Sequence, residues 1–188
     1  MRVIAGSARR TPLKCIEGES TRPTTDRIKE TLFNMISQDL WDCRFLDLFS
    51  GSGAIAIEAL SRGAKKAVLV EKNPIAVRCI RENLEKTHLA EGARVMQSDV
   101  LSALHRLSGS EDPFDIIFMD PPYDHGLEMQ VLKALQDSSL IREDTLIIIE
   151  ASLETSFDDL NDLGFETVRI KKYKTNQHVF VQKAGVNL

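Results

Sequence analysis

Three cysteines in 188 residues, Cys15, Cys43 and Cys79, are too few and too scattered for a disulfide framework. None stands in C-x-x-C spacing and the four histidines are isolated, so no zinc cluster is offered and no metal is expected. Long hydrophobic runs are missing too: no apolar stretch exceeds five residues, against the ~20 that a membrane helix needs. The opening Met1-Arg2-Val3-Ile4-Ala5-Gly6 lacks the apolar segment of a secretory signal. These absences together predict a cytoplasmic protein with no membrane partner. Excess positive charge is lacking as well, since 24 Lys/Arg against 28 Asp/Glu leave a net −4.

The distribution of charge says more than its sum. Residues 1–29 hold seven Lys/Arg and three Asp/Glu, and residues 167–188 hold five Lys/Arg and no acid. Two basic ends therefore flank a strongly acidic middle, and only the ends suit phosphates. Solvated termini would read the same way, so charge alone leaves the partner open.

Hydrophobic residues make up 43% and charged residues 28%, the proportions of one ordinary globular domain. Residues 1–23, rich in Arg, Gly, Thr and Pro, predict a basic arm or short hairpin, and residues 24–188 the domain proper. Thr24 or Thr25 can cap a helix with Ile28, Leu32, Met35 and Ile36 on one face. Short apolar strands are then expected at 45–49, 67–71, 94–97, 114–120 and 145–150. Helices are expected after the first strand up to Gly63, from Pro74, and along Leu127, Val131 and Leu135. Segments 165–173 and 178–182 flank Lys174-Thr175-Asn176-Gln177 and predict an antiparallel hairpin. Such alternation predicts an α/β fold, a mostly parallel sheet with helices on both faces. Ligands of such sheets bind outside the carboxyl ends of the strands.

Those ends carry the chemistry. The first reads Asp47-Leu48-Phe49-Ser50-Gly51-Ser52-Gly53-Ala54, whose glycines let the backbone turn and approach a ligand. Gly51, Gly53 and Ala56 fit G-x-G-x-x-[GA], with Glu71 twenty residues on, so a nicotinamide enzyme is a rival. Asp47, Glu71, Asp99 and Asp120 lie within or at the ends of successive strands. Four carboxylates repel a pyrophosphate but suit the sulfonium, ammonium and ribose hydroxyls of S-adenosylmethionine. Taken singly, each could be a helix cap or turn former.

After the fourth strand comes Asp120-Pro121-Pro122-Tyr123. The prolines stiffen the turn and expose the Pro121 carbonyl, while Tyr123 offers a stacking face for a flipped base. Asp120 and that carbonyl can accept both protons of an exocyclic amine, holding its nitrogen toward a methyl donor. The bland reading is a strand stop with a core tyrosine.

The elements D-L-F-S-G-S-G (47–53), V-E-K-N (70–73), Asp99 and D-P-P-Y (120–123) resemble the motifs of class I amino-methyltransferases. Together with A-G-S-A-R-R (5–10) and T-R-P-T-T-D-R-I-K-E-T-L-F-N (21–34), they resemble the bacterial RsmD-type family over nearly the whole chain. The resemblance implies a Rossmann-like, seven-stranded class I methyltransferase fold. It implies S-adenosylmethionine-dependent methylation of a guanine N2 in 16S ribosomal RNA, with a small-subunit assembly intermediate as partner. It further implies that Ser50, Gly51, Ser52 and Gly53 shape the cofactor loop and that Glu71, beside Lys72, holds the ribose. Asp99, beside Val100, is implied to bind the adenine amine, and Asp120 to Tyr123 the target base. The segment from Arg22 through Thr24 to Arg27 is implied to close over the cofactor. Arg9, Arg10, Arg22 and Arg27 are the expected RNA contacts. Besides the nicotinamide oxidoreductase, an adenine-N6 methyltransferase of DNA or RNA shares D-P-P-Y. A carbon methyltransferase lacks its cysteine nucleophile beside that motif, and a non-catalytic RNA module would need neither motif.

Overall fold

Runs of β-branched and aromatic residues punctuated by glycine and charge set up a central sheet, which the computed structural model shows with its covering helices. It describes residues 1–16, 26–122 and 126–185. The elements in chain order are α1 (Asp26–Met35), β1 (Arg44–Leu48), α2 (Ala54–Ser61), β2 (Lys66–Glu71), α3 (Pro74–Thr87) and β3 (Ala93–Gln97). They continue with α4 (Val100–Leu107), β4 (Ile116–Met119), α5 (Leu127–Gln136), β5 (Leu146–Ser152), β6 (Phe165–Lys172) and β7 (Asn176–Lys183). Short 3₁₀ turns occupy Ala90–Gly92 and Asp158–Leu163.

Seven strands form one sheet in the order β3-β2-β1-β4-β5-β7-β6. The first five pair in parallel, and β7 is antiparallel to both β5 and β6. Strand order reverses between β1 and β4, so the loops after these two strands open onto one crevice. Alternate residues of each strand face opposite sides. Phe45, Leu69, Phe118, Ile148 and Phe180 pack with α1 and α2 through Leu32, Phe33, Ile36 and Ile57. Leu46, Val68, Ile117, Ile149 and Val181 pack with α4 and α5 through Leu104, Leu107, Val131 and Leu135.

Residues 1–13 lie folded against this body. An antiparallel bridge joins Arg2 to Pro12, and Glu58 of α2 accepts hydrogen bonds from the amides of Ile4 (2.8 Å) and Ala5 (3.0 Å). Lys29 and Glu58 are both fully buried and 3.2 Å apart; Arg62 reaches the same carboxylate at 2.7 Å, and Lys29 also donates to the Arg2 carbonyl.

Two elements depart from the sequence expectation. Helix α4 was not expected, although Asp99 caps it and Val100, Ala103, Leu104 and Leu107 form its buried stripe. Strand β7 starts at Asn176 and not His178, because the side chains of Asn176 and Gln177 are buried and bonded to β5 and the loop that follows it. The expected caps Thr24 and Thr25 lie outside the described residues.

Candidate active site

The site is built at the carboxyl edge of β1, β2 and β4. After β1, Phe49 (φ 66°), Gly51 (φ 54°) and Gly53 (φ 79°) alternate with ordinary residues in the left-handed region, which coils the loop tightly. The Gly53 amide donates to the Ser50 carbonyl at 2.7 Å, and Ser50 Oγ donates to the Asp47 carbonyl at 2.8 Å. A side chain at Gly53 would press on Leu69 and Ile80, whereas one at Gly51 would meet nothing within 4 Å. The loop is thus packed underneath and open above. The Ser52 carbonyl accepts from Asn83 of α3 at 3.0 Å, and the same Asn83 holds the backbone of Lys14.

Asp47 sits beneath the loop, 1% exposed, accepting from the Ala56 amide in the first turn of α2 at 3.2 Å. Desolvation pushes its carboxyl up to about 8, against the help of that hydrogen bond. Glu71 ends β2 and accepts from the Gly51 amide (2.9 Å) and the Asn73 amide (2.8 Å), so it ties the loop to the start of α3. Lys72 beside it is exposed. Asp99 caps α4, accepting from the Ser102 amide at 3.0 Å; the Ser102 hydroxyl and then this amide lower its pKa, and Val100 is buried below.

Asp120 stands immediately beyond β4. Burial raises its carboxyl well above the ordinary value, with the charges of Glu150 and Asp47 acting in the same direction. Pro121 is buried and Pro122 exposed. Tyr123, Thr24 and Arg22 lie outside the described residues.

Sequence reasoning missed the group behind Asp120. Met119 pairs with Ile149, so the next residues along, Asp120 and Glu150, stand level on neighbouring strands. Glu150 is buried, accepts from Asn176 at 2.5 Å and lies 3.1 Å from Nε2 of the fully buried His178. His178 Nδ1 in turn meets the Tyr173 hydroxyl at 3.2 Å. The signal was present but spread over 28 residues: a lone acid following an isoleucine run and a lone histidine near the start of the last strand.

Of the expected RNA contacts, Arg9 and Arg10 do not lie at this edge. Arg9 and Arg10 are exposed on a turn docked to Ser61, where the Ser7 amide donates to the Ser61 carbonyl at 2.8 Å. A side chain at Gly6 would come within 1.7 Å of that carbonyl oxygen, so only glycine permits the docking. Ser61 ends α2, about 11 Å along the helix from the glycine loop. Arg27 is exposed in the first turn of α1. A cavity of about 590 Å³, lined by Trp41, Asp42, Cys43 and Asp115, also lies at the amino edge of the strands, away from Asp120.

A glycine loop after β1, an acid ending β2 and an Asp-Pro-Pro turn after β4, across the β1/β4 reversal, define the class I methyltransferase architecture. Comparison with known proteins agrees. The chain belongs to the family described as Conserved hypothetical protein 95, whose model matches residues 1–182. Ribosomal RNA small subunit methyltransferase D of Escherichia coli is 37% identical over 154 residues, covering 82% of this chain and 76% of its own. The solved Escherichia coli protein yhhF, provisionally described as a methyltransferase, matches with TM-score 0.83 at 32% identity over 98% of both chains. SMU.776, solved with SAH, shares the fold alone: TM-score 0.64 at 14% identity, over 80% of this chain and 49% of its own.

Proposed function

We infer that this protein transfers a methyl group from S-adenosylmethionine to the exocyclic N2 amine of a guanine in small-subunit ribosomal RNA. The observation that carries the reading is Asp120 with its Pro-Pro turn, standing across the strand-order reversal from the glycine loop in a chain of this family.

The residues present suit the cofactor. The space over Gly51 is open to a ligand, and the half-buried Glu71 retains lone pairs beyond its two amide bonds for the ribose hydroxyls. Asp47 anchors the loop from beneath through the Ala56 amide, and the Glu71 carboxylate suits a cationic ligand and disfavours a pyrophosphate. Ser50, Ser52, Gly53, Lys72, Asp99, Val100 and Thr24 complete the proposed cofactor set. S-adenosylmethionine supplies the electrophilic methyl. Asp120 and the Pro121 carbonyl accept the two amine N–H donors, which fixes the nitrogen for in-line attack, and Tyr123 stacks on the flipped base. The N–C bond would form as the methyl carbon–sulfur bond breaks, its electron pair staying on the now neutral sulfur. The amine turns acidic, and one proton passes to a carboxylate oxygen of Asp120. The raised pKa of Asp120 makes it an effective acceptor.

A ribosomal substrate places the protein in the cytoplasm, where small subunits assemble. An incompletely assembled subunit is the proposed natural form of that substrate, with Arg22 and Arg27 as proposed contacts to its RNA. The test is mass-spectrometric mapping of small-subunit RNA incubated with the purified protein and methyl-labelled cofactor. One N2-methylguanosine is expected; methyladenosine or unlabelled RNA overturns the reading.

A further inference from the structure

The β6–β7 hairpin carries charge that the site described so far does not use. Arg169, Lys171 and Lys172 on β6 and Lys174 in the turn are exposed, and among the described residues none of them forms an ion pair. Elsewhere the basic side chains of Arg44, Arg62, Arg94 and Arg142 are each held by a carboxylate.

Register decides where this charge points. Glu150 pairs with His178, and His178 pairs with Lys171. Asp120 stands on the same level as Glu150, one strand further in. The lysine end of the hairpin therefore lies on the same edge of the sheet as Asp120, three strand spacings or about 14 Å away. That distance is about four nucleotides of a stacked strand at ~3.4 Å each. Lys171 and Lys172 project to opposite faces of β6 and Lys174 follows in the turn, so the three straddle the rim. The arginine pair of the arm, by contrast, is docked at the far end of α2. The half-buried Glu71 carboxylate at the crevice repels phosphate, so a base can enter only if its flanking backbone is held nearby.

We propose that Lys171, Lys172 and Lys174 at the turn of the β6–β7 hairpin bind the phosphodiester backbone of RNA flanking the target base. This rests on the ribosomal RNA reading above. Phosphate contacts position a nucleic acid and base contacts specify it, so the hairpin governs delivery and leaves the transfer step to Asp120.

The test compares K171Q/K172Q/K174Q with a charge-matched control, K86Q/R106Q/K133Q. The control residues are exposed in the last turns of α3, α4 and α5, at the amino edge of the strands. Methylation and binding of a small-subunit RNA fragment are measured across a salt series, with cofactor-induced thermal shift as the check on folding. The hairpin variant is expected to raise KM for RNA roughly tenfold and to flatten the salt slope of binding by about two units. Its kcat at saturating RNA and its thermal shift stay at the wild-type level, and the control keeps both KM and slope. A hairpin variant matching wild type in KM and slope overturns the proposal, as does a control that falls equally. Wild-type protein that methylates duplex DNA and no RNA overturns the ribosomal RNA reading instead.

Discussion

At the scale of single residues, the acids at the strand ends divide into those that build the site and those poised to react. Glu71 and Asp99 spend oxygens on backbone amides, so the ordinary capping role available to any lone acid is realised in Asp99. Burial raises the carboxyl pKa of both Asp47 and Asp120. Asp120→Ala should slow methyl transfer by about 10²–10³ in single-turnover rates at saturating cofactor, since it removes an acceptor acting on developing charge. A near-normal rate would refute the amine clamp. Asp47 makes a second prediction, about pH. Its folded pKa, about 8, lies above the ordinary 3.8, so its protonated form stabilises the fold. That stability is fully present below about pH 4 and is lost as pH rises toward 8. Glu111 and Asp99 are shifted downward and so act only below their ordinary values, outside this window. Thermal scans of the ligand-free protein from pH 5 to 8 should show a falling Tm, and Asp47→Asn should flatten the fall. Cys43, pushed up to about 12 by burial, stays a thiol throughout.

Among the elements, those with a strong period or a motif at one end were legible in the sequence, and those held by distant side chains were not. The glycine loop announced α2, and Pro74 announced α3. The α4 stripe from Val100 to Leu107 is only two turns long and its Asp99 cap reads equally well as a ligand contact, so the sequence does not mark the helix. The start of β7 depends on Asn176 reaching Glu150, and nothing local in the sequence marks polar residues as strand when their partners sit 26 residues away. The arm shows the same limit. Its composition suggested a basic arm or short hairpin, and the Arg2–Pro12 bridge is of the second kind, but nothing local marks Glu58 in the middle of the apolar α2 as the group that clamps it to the body. Glu58→Ala would leave Lys29 buried without its carboxylate. A loss of about 3–5 kcal/mol in urea unfolding is expected, against under 1 kcal/mol for exposed Glu82→Ala. Equal losses would show that the buried cluster holds nothing together.

For the molecule as a whole, the alternation of strands and helices made the sheet and its cover on both faces legible, while the division of each apolar run between two cores follows from the pleat of the strands. The sequence does not display strand order, which follows from right-handed crossovers returning the chain to the other side of β1. Insertion of β7 between β5 and β6 has a consequence for synthesis. A chain leaving the ribosome exposes β5, with Ile147, Ile148 and Ile149 in a row, along an unpaired edge until residues 176–183 emerge. Such an edge invites pairing with other chains. A version stopped at Gly164 should therefore collect in the insoluble fraction on expression, whereas the 188-residue chain is expected to stay in solution. If the shortened chain is equally soluble, β5 is protected by something other than β7. Otherwise the last strand to be made is the one that lets every nascent copy leave its neighbours alone.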